Sequence, residues 1–275
     1  MPELAGRVFD VYTCVTEYVL HAGDPYASLA EFARRLRDHA HAGGALRGEA
    51  FGATLLGEIE LLTGDPHAAR SHLLEAAALS REAGAIGGEA LARARLGEAL
   101  THLDERSEAR EQLDEALALA HASALADHLL FVVHGPLLRV PEDPPEALAL
   151  VDRAEALLDE TPKCLFCPVD YYLAAATACA RAGDTARAHA FLARVEHTAG
   201  LWNGRPWGPA AAEARGAVLA ADGDKEAAIQ ALRHAITGYA TAGQRLNQAR
   251  ARRTLNEYLA TPRHAYARRT ITPIA

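Results

Sequence analysis

Aromatic side chains are scarce in this chain: they make up 6% of its residues, although half of the residues are apolar. A β-sandwich or barrel draws its core from Val, Ile, Thr and aromatics, so the shortage argues against one. Burial must come from Ala and Leu, which suits many small-faced helices packed close together. Lysine is nearly absent, with only Lys163 and Lys225 among 28 basic residues, against 36 acidic ones. The net charge of −8 argues against direct nucleic-acid binding, because neutralising phosphates needs clustered cations. Long apolar runs are missing too. The most apolar window, 129–138, is broken by His134, Gly135 and Pro136, whereas a membrane span needs about 20 consecutive apolar residues. The start, Met1 to Arg7, lacks the pattern of a secretory signal, and four cysteines are too few for a disulfide scaffold. A cytoplasmic protein with reduced thiols and no membrane partner is expected.

What the chain does have is a repeat. Taking Gly23, Gly64, Asp104, Glu142, Gly183 and Gly223 as anchors, the spacings are 41, 40, 38, 41 and 40. Five residues after each anchor stand Ser28, Ala69, Ala109, Ala147, Ala188 and Ala228. Nine after stand Phe32, Leu73, Leu113, Val151, Leu192 and Leu232, all apolar. Twelve after stand Arg35, Ala76, Ala116, Ala154, Val195 and Ala235, and seven before stand Thr16, Gly57, Gly97, Gly135, Ala176 and Gly216. Small residues on both sides of a turn let two helices approach closely, and the larger residue fills the space beside them.

Each unit therefore reads as helix, tight turn, helix. Glycine at the anchor can end the first helix in a left-handed conformation. The following Asp can cap the second helix, and Pro25, Pro66 and Pro144 fit its first turn. Apolar spacing such as Ala69, Leu73, Ala76, Ala77 and Ser80 continues it. One unit cannot bury its own apolar face, so stability must come from stacking. A single repeat domain over 1–260 is expected, with a short tail, 261–275, that is poorly ordered or acts as a docking arm.

The pattern resembles the tetratricopeptide (TPR) repeat family. That family's small residue in the first helix, Gly near the turn and two alanines in the second helix match Gly57, Gly64, Ala69 and Ala76. They match again at Gly216, Gly223, Ala228 and Ala235. The period near 40 exceeds the standard repeat of about 34. Longer repeats of this kind are similar to those in the sensor region of bacterial LuxR-type and antibiotic-regulatory transcription regulators. The resembling features are Arg181-Ala182-Gly183-Asp184, the loop from Trp202 to Trp207, Ala242-Gly243-Gln244 and Ala249-Arg250. The resemblance implies an all-α, right-handed superhelical solenoid of about six helical hairpins with a concave binding face. No Gly-x-x-x-x-Gly-Lys-Ser/Thr loop occurs, so the NTPase of such regulators has no counterpart in this sequence.

Carried over through the anchors, the family's groove positions are Asp10, Thr13, Glu17 and His21 in the first unit, and Phe51, Thr54, Glu58 and Leu61 in the second. Leu91, Glu98, Thr101 and His102 follow from the third unit, with Asp170, Thr177 and Arg181 from the fifth. Glu17, Glu58 and Glu98 recur at one position, an acidic ladder suited to a cationic or amine-bearing ligand or a basic peptide. Solvated, helix-forming glutamates are the plainer alternative. The groove lacks the Lys/Asn set with which chaperone-binding TPR proteins hold a carboxylate.

Other candidates are weaker. Cys164 and Cys167, with two residues between them, can supply half of a zinc site or a redox pair, but structural thiols are the preferred reading. Thirteen histidines are scattered, and solvent-exposed positions are expected for them. Trp202 and Trp207 flank a loop, either as a hydrophobic plug or as the wall of a ligand site. No catalytic grouping can be assembled, and no cofactor is implied. The expected function is a non-enzymatic module binding a protein or peptide partner in bacterial transcriptional or signalling control. The alternative is a small-molecule sensor that encloses its effector in the groove. Self-association through exposed end repeats is compatible with either.

Overall fold

The computed structural model describes residues 19–21, 25–158, 167–201 and 207–260, and among them every regular element is an α-helix. A helical stretch at 19–21 precedes twelve helices. The first six are α1 (Tyr26–Ala42), α2 (Leu46–Thr63), α3 (Pro66–Glu82), α4 (Ile86–His102), α5 (Arg106–Ala122) and α6 (Ala126–Leu137). The rest are α7 (Pro144–Leu158), α8 (Pro168–Ala182), α9 (Thr185–Leu201), α10 (Gly208–Ala221), α11 (Lys225–Thr241) and α12 (Arg245–Ala260). Consecutive helices pack on each other, a repeat-like arrangement compatible with TPR-type hairpins.

The turns carry out the expected chemistry. Gly64 takes φ 95°, and its N–H and that of Asp65 close back onto the Leu61 and Glu60 carbonyls. That 6→1 and 5→2 pairing satisfies the last carbonyls of α2. Asp65 then caps α3, its Oδ1 accepting from the Ala68 N–H at 3.0 Å, and Asp224 caps α11 the same way at Ala227. Asp104 occupies an anchor without being glycine. It adopts φ 64°, a conformation that Asp tolerates better than most residues. Pro66 and Pro144 open their helices as expected, whereas Pro25 sits one residue ahead of α1. A second family of turns at Gly44, Gly84 and Gly243, also with positive φ, joins one hairpin to the next.

Small residues decide the hairpin packing. A Cβ added to Gly57 would lie 2.5 Å from Leu73 Cγ, and one added to Gly216 would lie 2.9 Å from Leu232 Cγ. Gly97 meets Leu113 in the same way. In the second, third and sixth units the leucine nine residues after the anchor thus seats on the glycine seven before it, inside the hairpin. Two units depart from this rule. Phe32 is 50% exposed, and its counterpart Thr16 lies outside the described residues. Gly135 abuts the Asp170 carboxylate and the Tyr171 backbone of α8 instead of Val151.

The even-numbered helices form an inner row and the odd-numbered an outer one. α3 buries one stripe, Ala69, Leu73, Ala76, Ala77 and Ser80, the set expected from its spacing. α2 is covered nearly all round, burying Ala53, Leu55, Leu56, Glu58 and Ile59. Within the inner row α2 packs on α4, α4 on α6, α6 on α8 and α8 on α10. α12 then returns to pack on α2. Gln244 Nε2 lies 3.2 Å from His21 Nδ1, and the Arg245 side chain covers Gly64. The row therefore closes on itself, where a plain solenoid would keep its ends apart.

Gly97→Leu is expected to overpack the α4–α5 crossing and lower stability by about 1–3 kcal/mol. Gly200→Ala, where an added Cβ meets nothing within 4 Å, should leave it unchanged or raise it by up to about 1 kcal/mol. Urea unfolding of both variants checks the assignment. Equal midpoints would refute it.

Candidate functional site

Because the inner row closes, its six helices surround a shared hollow. Its wider part is a cleft of about 500 Å³ between α4, α8 and α12. A narrower recess of about 70 Å³ continues it toward α2 and residues 20–21. Glu98, Leu173 and Arg250 line both.

Ionic pairs linking neighbouring helices line the hollow. Arg95 of α4 donates from Nε to Glu58 of α2 at 3.0 Å and from Nη1 to Glu98 at 3.1 Å. Arg139, just past α6, grips Asp170 of α8 through both nitrogens, at 2.7 and 2.5 Å. Arg250 of α12 makes a two-pronged contact with Glu213 of α10, both bonds 2.8 Å, and the Tyr239 hydroxyl donates to the same carboxylate at 2.7 Å. Asn247 supports Arg250 and passes the chain on to Gln244. Gly135 is explained here: any side chain at that position would collide with the Asp170 carboxylate.

Burial and charge compete at each group. Burial pushes the Asp170 carboxyl up, but Arg139, with Arg95 and Arg250 behind it, overrides burial and holds it far below the carboxylate range. Glu213 is likewise raised by burial and brought below its ordinary value by the Arg250 charge and hydrogen bonds. Burial raises the Tyr239 hydroxyl, as does the neighbouring Glu213 charge. His102 is pushed down to about 4 by burial, partly opposed by Glu98.

The sequence candidates fall into four groups. His21, Glu58, Asp170 and Trp207 line the recess, with Glu98 at the junction. His102 and Arg181 line the wider cleft, as do Thr101 and Thr177, while Leu61 lines the recess. Phe51 is half-buried on α2 and lines neither cavity, and Thr54 and Leu91 are buried. Asp10, Thr13, Glu17, Trp202 and Cys164 lie outside the described residues. Trp207 is 5% exposed, with its ring 5.9 Å from that of His21. Cys167 is buried, with its Sγ 3.5 Å from His128 Nδ1. Among the described residues no group of three or more His, Cys, Asp or Glu could hold a metal ion.

Two expectations need correction. The acidic ladder is not bare, because one arginine, Arg95, sits between Glu58 and Glu98 and binds both. Nor are the histidines all exposed. His134 is 5% exposed, with Nδ1 2.6 Å from the Leu130 carbonyl, and burial lowers its pKa. The residues missed were Arg95, Arg139, Arg250 and Glu213. A signal existed: Glu58 and Arg95, like Glu213 and Arg250, are 37 residues apart, just under one period.

Compared with family models and with curated proteins, the sequence matches none of either. Fold and site together define an all-helical, repeat-like protein with a polar central hollow. Among its described residues no helix is long and apolar enough to cross a membrane.

Stability should fall in two steps on acidification. The unfolded His102 ring has a pKa of about 6.5. Between that value and about 4 the unfolded chain takes up a proton that the native ring does not, so stability present above pH 6.5 is lost on the way down. His134 adds to this step. Asp170 and Glu213, with depressed pKa values, add stability above about pH 4 that is lost below it. His102→Gln should shrink the first step and spare the second in unfolding curves taken from pH 7.5 to 3. Arg250→Leu strands Glu213 and should cost about 3–5 kcal/mol, with Glu213→Leu added in the same chain recovering part of the loss.

Proposed function

We propose that the protein is a non-enzymatic, effector-binding module that takes a small molecule into its central cleft. It is read as a right-handed superhelix of about six TPR-like hairpins. The carrying observation is the closed inner row around about 500 Å³, within the size range of small-molecule sites. An open groove would accommodate an extended peptide, whereas return of α12 onto α2 rings the hollow with helices. The likeness to sensor repeats of bacterial LuxR-type and antibiotic-regulatory regulators points the same way and suggests a cytoplasmic role in transcriptional or signalling control.

A protein partner is the second reading. It rests on the repeat likeness and on Phe32, Leu74, Ile86, Leu201 and Leu259, which are 44–53% exposed. These lie on five different helices, and scattered apolar side chains are ordinary on protein surfaces.

A ligand at one hundred times its Kd should stabilise the protein by about 2.7 kcal/mol. In a thermal-shift screen of a metabolite library, hits should slow hydrogen exchange in α4, α8 and α12. Thr177→Trp, which fills the cleft from α8 without touching the ion pairs, should abolish the shift. Hits that persist in that variant, or a screen with none, would count against the cleft.

A further inference from the structure

The wall chemistry of the cleft indicates what sign of ligand it admits, given that the cleft is the ligand site. Apart from Glu257, which is exposed one turn beyond Arg253 on α12, its acidic groups are held by arginines. Glu98 is engaged by Arg95 at 3.1 Å and Glu213 by Arg250 at 2.8 Å, and at the rim Asp104 is bonded to Arg106 at 3.1 Å. Asp170, beside the cleft, is gripped by Arg139. A cationic ligand at Glu98, Glu213 or Asp170 would have to take the carboxylate away from a mostly buried guanidinium.

The basic side differs. Among the described residues, Arg181 of α8 donates only to the Glu142 backbone carbonyl, at 3.1 Å, and pairs with no carboxylate. Arg253 of α12 makes no hydrogen bond or ion pair among the described residues, and both guanidiniums are solvent-exposed at the cleft wall. Arg253 stands near enough to His102 for its charge to act on that ring. The His102 nitrogens likewise have no hydrogen-bond partner among the described residues, so a neutral imidazole offers one donor and one acceptor to the cleft. Each guanidinium presents planar, paired N–H donors that match an oxyanion.

We propose that the cleft binds a small molecule bearing a carboxylate or phosphate group, with the oxyanion held by Arg181 and Arg253 and a polar group of the ligand meeting His102. The ligand sign is the reverse of that suggested by the glutamates alone. It also runs against the chain's net charge of −8, which would draw cations to the surface in general. Preference for an anion is therefore diagnostic of a local site.

Citrate, pyrophosphate and spermidine, titrated separately at low salt, test this by thermal shift and hydrogen exchange. Citrate or pyrophosphate should bind saturably and protect α4, α8 and α12, while spermidine does not protect them. Arg181→Gln with Arg253→Gln should keep the unliganded melting temperature, since both side chains are exposed, and weaken anion binding at least tenfold. Anion binding that survives in the double variant overturns the assignment. Protection of those helices by spermidine instead overturns the sign while leaving the cleft as a site. Protection by none of the three up to millimolar concentration overturns both.

Discussion

The structure depends on how closely two helices can approach. Wherever Leu73, Leu113 or Leu232 seats on Gly57, Gly97 or Gly216, the hairpin closes with no room for even a methyl group. Alanines five and twelve residues past the anchors, such as Ala69 and Ala76, keep the rest of the crossing equally tight. Close packing at this density gives the inner helices other than α12 neighbours on nearly every side. Whatever polar groups remain on their free faces are confined to the central hollow. Deep in it Glu58, Arg95, Glu213 and Arg250 lie largely out of water, and buried charges persist only when paired. The arginine–carboxylate contacts of the hollow thus follow from the glycines of the hairpins.

The outer row answers to a milder version of the same constraint. Arg37–Glu75, Arg70–Glu105, Arg110–Glu146 and Arg187–Glu155 join successive outer helices, at 3.5, 2.9, 3.7 and 3.1 Å. These groups are partly exposed, and pairs of that kind contribute little each. Their regularity marks the stacking direction. Apolar burial and the inner pairs hold the stack together.

Much of the fold was legible because its determinants are local and periodic. Turn glycines, capping aspartates and the stripe from Ala69 to Ser80 each act within one hairpin, so one repeat announces the next. The wall of the hollow was legible only in part. His21, Glu58, Glu98, His102, Asp170 and Arg181 came through because inner-helix positions recur with the period. Their electrostatic meaning did not, since it depends on which arginine faces which carboxylate across a helix boundary. Arg139 falls after a helix that ends early, at Leu137, and so sits outside the periodic register altogether. Gly135 was recognised as necessarily small, but for the wrong neighbour. Closure was invisible because it joins residues 223 positions apart, Gln244 and His21, with no periodic signal between them.

That closure changes what a ligand could do. In an open stack each repeat feels only its neighbours, and local stability terms add along the chain. Here α12 touches α2 and residues 20–21 at one face, and at the other holds Glu213 through Arg250 and lines the cleft with Arg253. The hollow, recess and cleft together, is consequently built from both ends of the described chain. A ligand bridging α8 and α12 adds its binding energy to the contact that fixes the last hairpin against the first. Anything that binds only the closed form stabilises it by mass action. Under the proposed function, occupancy of the hollow would be tied to the junction between the first and last described helices, the place where a repeat protein can turn a local binding event into a change of overall shape.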